Sequence, residues 1–289
     1  MSYRSLFRPD AFAQKVVIVT GAGSGIGRCT AHELAALGAR VVLVGRTASK
    51  LERVAAEIAE DGGLADAQAC DIRDEAAVAA TIDRVLAAHG RLDGLVNNAG
   101  GQYRSPARDI ATKGFEAVVR NNLTGGFIFM REAYTRWMEA HGGAIVNIIA
   151  DIWHGWPDFA HSAAARGGML TLTETLACEW AAAGVRLNAV APGGIVSSGF
   201  DTYPPEQQQK LLRYVDSVPL GRFGTESEVS AAIVFLLSPA AAYITGSCVR
   251  VDGGTPNARQ QTWDIQPTSR NAPFNGFHRA VAPRLLGGD

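Results

Sequence analysis

Short runs of branched apolar residues alternate along this chain with longer stretches whose apolar positions recur at helical spacing. The short runs are Lys15 to Thr20, Val41 to Gly45, a weaker one ending at Cys70, Gly94 to Asn98, Ala144 to Ile149, Arg186 to Ala191 and Cys248 to Val251. Near-continuous apolar strands separated by helices are what a parallel sheet needs, because each crossover lays a helix on the sheet and buries both faces. The helical stretches carry their own punctuation. One from Gly27 to Leu37 stops at Gly38, and one from Glu226 to Leu237 opens on a Thr225-x-x-Glu228 capping box and stops before Pro239. The pattern predicts an α/β fold, a single-domain doubly wound parallel sheet of about seven strands, over residues 1–254.

Two segments break the rhythm. Residues 197–224 follow a strand end, contain Pro204-Pro205 and an amphipathic stretch, and are expected to form a helical lid over the carboxyl edge of the sheet. Residues 255–289 hold Trp263, Pro267, Pro273, Phe274, Phe277 and His278 with little periodicity. They read as an extended C-terminal tail, part of the same domain, packed on a neighbouring subunit or laid across the active-site mouth; a disordered tail is the plainer alternative.

With 289 residues, 47% hydrophobic and 19% charged, the chain can bury one large core, and its net charge of -1 supplies no reason to seek nucleic acid or an anionic membrane. A small neutral-to-anionic ligand is the natural partner. Cys29, Cys70, Cys178 and Cys248 lie far apart in apolar stretches without metal-ligand spacing, so they read as core thiols in a reducing compartment, with no metal site. No apolar run reaches the roughly 18 residues of a membrane span, the first residues lack a signal-peptide core, and the last three are not a peroxisomal address. A cytoplasmic location is expected.

The chemistry begins where the first strand ends, at Thr20-Gly21-Ala22-Gly23-Ser24-Gly25-Ile26-Gly27. Glycines in a strand-to-helix turn let backbone N–H groups approach a pyrophosphate at the helix N-terminus, so Gly21, Gly23, Ser24, Gly25, Ile26 and Gly27 are expected to bind a dinucleotide in a Rossmann-type fold. The second strand ends Gly45-Arg46, where an NAD enzyme would place an acid for the ribose 2′-hydroxyl. Arg46 instead offers a guanidinium fork to a 2′-phosphate, which argues for NADP(H), a solvated surface arginine being the alternative. Asp71 and Ile72 close the third strand, where the carboxylate is placed to accept from the adenine amine.

These residues, with Asn97-Asn98-Ala99-Gly100, Asn121 to Gly125, Arg186 to Gly194 and Val251-Asp252-Gly253-Gly254, make the chain resemble the short-chain dehydrogenase/reductases over nearly its whole length. The resemblance implies that Asn98, Ala99 and Gly100 line the cofactor cleft. It implies that Asn122 holds a water and a backbone kink, and that the backbone after Pro192-Gly193, near Ile195, binds the nicotinamide carboxamide. It also implies a homotetramer. Three segments, 97–103, 137–143 and 161–166, look like those of trans-2-enoyl-CoA reductases of the peroxisomal type and of bacterial citronellol or citronellal dehydrogenases.

One departure decides the chemistry. Most family members use a serine and a Tyr-x-x-x-Lys; here Ile149-Ala150-Asp151 stands where the serine belongs, and Ser162 and Arg166 stand for the tyrosine and lysine. A neutral serine is a poor acid for an alkoxide, so simple ketone reduction is disfavoured. Hydride addition to an enoyl thioester instead leaves charge on the thioester oxygen, which needs hydrogen-bond donors more than an acid. Ser162 and Asn122 are expected to supply them, while Arg166 orders the ribose and favours the anion.

His161 is a candidate proton relay or an ordinary helix-start histidine, and Asp151 a water or substrate ligand or a plain cap. Trp153, His154, Trp156 and Tyr103 are candidates for an acyl pocket or for loop packing. Arg104, Arg108 and Lys113 are candidates for CoA phosphates or for solvated surface. The expected substrate is an acyl thioester; an isoprenoid alcohol dehydrogenase, with His161 or Asp151 as base, and a non-catalytic NADP-binding protein are the rivals.

Overall fold

The computed structural model describes residues 2–197, 212–258 and 271–286. Its strands are β1 (Val16–Thr20), β2 (Arg40–Gly45), β3 (Leu64–Ala69), β4 (Gly94–Asn97), β5 (Gly143–Ile148), β6 (Val185–Pro192) and β7 (Cys248–Val251). Each boundary lies within one residue of the apolar run that predicts it. The helices are α1 (Gly25–Ala36), α2 (Ala48–Glu60), α3 (Glu75–His89), α4 (Thr112–Val119), α5 (Gly125–Ala133), α6 (Glu139–His141), α7 (Ala160–Glu179) and α8 (Glu226–Leu237). α1 starts two residues before the predicted Gly27, because the glycine loop turns straight into helix and small residues there carry no apolar period.

All seven strands run parallel in the order β3-β2-β1-β4-β5-β6-β7. Successive residues of β1 serve opposite faces, as the two-residue period of a strand requires. Val17 and Val19 pack with Leu34 of α1, Val54 of α2 and Ile233 of α8. Ile18 packs with Ile82 of α3, Phe129 of α5 and Met169 of α7. Full burial of side chains such as Ile18 contributes about 1.5–3 kcal/mol each. The chain leaves β1 toward β2 and β3 but continues from β4 toward β5 and β6, so the crossovers diverge there and open a crevice at the carboxyl ends. No helix among the described residues is long and apolar enough to cross a membrane.

The predicted caps are present. Thr225 and Glu228 form a reciprocal capping box on α8, and Gly38 adopts φ 89° behind α1. Between α4 and α5 the helix widens into a π-turn at Arg120–Thr124, which no apolar period marks. Residues 198–211 of the predicted lid, Pro204-Pro205 included, lie outside the described residues, as do Trp263 and Pro267 of the tail.

The described tail packs on its own chain. Phe274 donates its N–H to Glu228 and accepts from Thr225 Oγ1, and Phe277 N–H donates to Ser227 Oγ at 3.1 Å. The Phe277 ring is buried with Tyr3 and Cys29, under the Arg28 guanidinium at 5.0 Å. Arg279 pairs with Glu60 and Asp61 at the end of α2. Residues 271–286 thus strap α1, α2 and α8 together, and Asn271 holds Arg222 and Leu220. The cysteine expectation needs correction: Cys29 and Cys70 are buried, Cys248 is half-buried, and Cys178 is exposed on α7, where its apolar neighbours in sequence point to the other side of the helix.

Candidate cofactor and active site

Close approach explains the glycines. Gly21 and Gly25 have φ 68° and 58°, and a Cβ on Gly27 would stand 2.4 Å from both Asn98 Nδ2 and Gly21 O. Asn98 Nδ2 donates to Thr20 O at 3.0 Å, and Thr20 Oγ1 accepts from the Asn98 and Ala99 N–H groups. The glycine loop is thereby sewn to the end of β4. Ser24 caps α1 without any side-chain hydrogen bond, which leaves the first-turn N–H groups of α1 to an anion.

A cleft of about 740 Å³ opens at this point. Its walls include Gly21, Ser24 and Ile26, then Asn98, Ala99 and Gly100, then Arg166, and Pro192, Gly193 and Ile195 on the far side. In the turn after β6, Gly193 N–H donates to Val251 O, and Gly224 exchanges hydrogen bonds with Gly194 and Val196. The glycine cradle, the uncapped helix start and this turn fit a dinucleotide.

At the adenine end the structure amends the expectations. Asp71 accepts from Arg73 through Oδ1 at 2.9 Å and Oδ2 at 2.5 Å, and also from the Arg73 N–H. That pairing holds its carboxyl down at about 2, so Asp71 is ionised and keeps acceptor capacity beside its arginine partner. Ile72 is in the core, against Gly125, and not on the cleft wall. Arg46 is exposed where predicted. Lys50, which sequence reasoning passed over, lies with its Cβ 3.1 Å from where a Cβ on Gly23 would be.

The catalytic candidates separate into wall and support. Asn122, in the π-turn, donates through Nδ2 to Gly101 O at 2.7 Å and Val118 O at 2.9 Å, and accepts the Gly101 N–H at 3.1 Å. Both its amide hydrogens are spent, so it braces the backbone after β4 and is not a donor to substrate. Arg166 lines the cleft and donates to Ile148 O; burial pulls its guanidinium down to about 10, which leaves it charged at neutral pH. Its Nε has no hydrogen-bond partner among the described residues.

Ser162 is wholly buried and off the cleft wall, and its Oγ donates to Gln102 Oε1 at 2.6 Å. Gln102 is on the wall. His161 Nδ1 accepts the Ser162 N–H at 2.8 Å, and burial lowers its pKa against a hydrogen bond to the Phe159 backbone that raises it. Its ring stands edge-on to Tyr103 at 4.5 Å, and neither lines the cleft, so the proton-relay expectation is corrected. Asp151 is buried and faces the cleft.

Of the aromatic candidates, Trp156 lines the cleft, stacked at 4.8 Å on Phe159. Trp153 instead packs beneath Arg250 at 5.4 Å, and His154 is exposed at φ 65°. Arg104 reaches the cleft but is tied through Nε and Nη2 to Asp158, while Arg108 and Lys113 are exposed. Sequence reasoning missed Gln102, Phe159, Tyr214 and Phe223 on the wall. Only Gln102 had a local signal, since it follows the Gly100-Gly101 pair at the end of a strand.

A family model described as enoyl-(acyl carrier protein) reductase matches residues 21–256. A Bacillus subtilis (strain 168) protein named "Probable 2,4-dienoyl-CoA reductase" is 39% identical over 244 residues, covering 83% of this chain and 96% of its own length. The structure of a citronellol catabolism dehydrogenase from Pseudomonas aeruginosa PAO1 is 54% identical, with a TM-score of 0.80 over 88% of this chain and 100% of that one. A chain from Beutenbergia cavernae solved with NADP bound at low occupancy is 37% identical, with a TM-score of 0.79 over 86% of this chain and 99% of that one.

Proposed function

This chain belongs to the short-chain dehydrogenase/reductase family and is an oxidoreductase of that type; from that premise we propose that it reduces the α,β double bond of a trans-2-enoyl thioester, CoA-linked, with NADPH. The observation that carries the reading is the Ser162–Gln102 bond. Because Ser162 donates to Gln102 Oε1, the amide is held on the cleft wall with its Nε2 hydrogens turned to donate to a substrate. A bound reduced nicotinamide supplies the hydride. The amide donates to the thioester oxygen as charge gathers there, and an amide, which stabilises an enolate without giving up a proton, suits that step better than carbonyl reduction. Arg166, desolvated and still cationic, favours the same anion and orders the ribose. Cα takes its proton from water at the open cleft. Trp156 and Phe159 give the acyl chain an apolar wall, and Arg46 meets the 2′-phosphate.

The 54% identity to a citronellol catabolism dehydrogenase favours a second reading, oxidation of an isoprenoid alcohol, in which Asp151 on the cleft wall would be the base. Nicotinamide absorbance separates the two. We expect NADPH consumption that depends on trans-2-enoyl-CoA of short or medium chain, no turnover of citronellol with either oxidised cofactor, and a 10²- to 10³-fold fall in kcat for Gln102→Ala. Activity with citronellol alone would overturn the thioester reading, as would unchanged thioester turnover in both Gln102→Ala and Ser162→Ala. Cofactor binding without turnover would mark a binding protein.

A further inference from the structure

Tyr214 is used by none of the chemistry above, yet it lines the cleft and touches the turn after β6. Its hydroxyl accepts the Gly194 N–H at 3.1 Å and donates to Thr255 Oγ1 at 3.3 Å, and Thr255 in turn donates to Asp252 O at 2.7 Å. Hydrogen bonds therefore run in one direction from Gly194 through Tyr214 and Thr255 to the carbonyl that follows β7. The Tyr214 ring lies so close on Gly194 that a Cβ there would come within 2.3 Å of it, and it stacks on Phe223 at 5.9 Å. Gly193 cannot yield either, since a Cβ on it would stand 2.8 Å from Asp252 Cα.

The consequence falls on the next residue. Gly193 N–H goes to Val251 O, Gly194 N–H to Tyr214, Gly194 O to Gly224 N–H, and Val196 N–H to Gly224 O. Among the described residues the Ile195 N–H and C=O are left without a partner in this turn, side by side at the wall of the cleft. A peptide presenting one donor and one acceptor matches a primary carboxamide, which offers the reverse pair.

We propose that Tyr214 is a positioning residue for the nicotinamide half of the cofactor. By occupying Gly194 N–H and covering Gly194 it leaves Ile195, among the described residues of this turn, with both its N–H and its C=O open and holds it in register for the carboxamide; the closing Asp252–Thr255 turn anchors that register from β7. The inference rests on the dinucleotide reading of the cleft and not on the identity of the substrate.

The test is binding, not turnover. Dissociation constants of the purified protein and of Tyr214→Phe are measured by fluorescence titration for NADPH and for adenosine 2′,5′-bisphosphate, which has the adenine end and no nicotinamide. Loss of both phenol hydrogen bonds should weaken NADPH about three- to tenfold and leave the bisphosphate unchanged within twofold. Thr255→Val, which removes the acceptor for the phenol proton together with the donor to Asp252 O but leaves Tyr214 on Gly194, should shift NADPH in the same direction by less. Equal weakening of both ligands would reduce Tyr214 to a structural prop and overturn the proposal, as would unchanged NADPH binding in both variants. If the protein binds NADH and not NADPH, the same comparison with ADP-ribose decides it, and the choice of dinucleotide fails separately from the role of Tyr214.

Discussion

Glu226 opens α8 directly behind the glycine loop, its Oε1 3.9 Å from where a Cβ on Gly25 would be, and only 8% of the residue is exposed. Burial raises its carboxyl from 4.5 to about 7, and the nearby Arg28 charge offsets only part of that. The folded protein therefore keeps this proton up to about neutrality, while the unfolded chain releases it near 4.5. The stability it confers is complete below 4.5 and is lost as pH rises through about 7. At about 1.4 kcal/mol per pH unit the full cost is about 3.5 kcal/mol, most of it incurred between pH 5 and 8. Glu226→Gln cannot ionise, so urea unfolding of the two proteins at a series of pH values should give the variant a lead that grows by about 2–3 kcal/mol from pH 5 to pH 8. A constant difference across that range would refute the argument and mean that Glu226 is already ionised in the fold at pH 5.

Three further outcomes follow from other parts of the molecule. Gly27→Ala places a methyl 2.4 Å from Gly21 O and Asn98 Nδ2, so NADPH titration should show a loss of at least tenfold while the melting temperature falls modestly. Arg46→Asp should weaken NADPH by about tenfold to a hundredfold and improve NADH; an unaltered preference would make Arg46 a solvated surface group. Phe277→Ala removes a ring that is 2% exposed between Tyr3, Cys29 and Arg28, and chemical denaturation should show about 3–5 kcal/mol of lost stability.

What could be read along the chain was what local physics writes there. Strands such as Val16–Thr20 are buried on both faces, so Val16, Val17, Ile18 and Val19 are apolar in succession and the run announces itself. The glycine loop was legible because the steric demand falls on residues a few positions apart. The capping box on α8 was legible for the same reason. Asp71 and Arg73, two residues apart, were close enough to be paired by eye, but an i, i+2 ion pair depends on the turn between them, which has no apolar period. Gln102 and Ser162 meet across 60 positions, as do Tyr214 and Thr255 across 41, and Phe277 reaches back to Tyr3 at the other end of the chain. Such contacts are decided by how helices settle on the sheet.

The same distinction separates Ser162 from Arg166. Register along α7 puts Ser162 four residues before Arg166, one helical turn apart, so both face the sheet. Side-chain reach then divides them. Arg166 is long enough to pass beneath Gly100 and emerge on the cleft wall, whereas a serine hydroxyl stops one bond from Cβ and remains buried. Gln102 meets Ser162 from the cleft side, with its oxygen on the serine hydroxyl. On the function proposed above, the serine and glutamine together keep a hydrogen-bond donor at the cleft without the acidity of a phenol. Such a site would stabilise an oxyanion without protonating it, which suits reduction of a conjugated double bond better than reduction of a ketone.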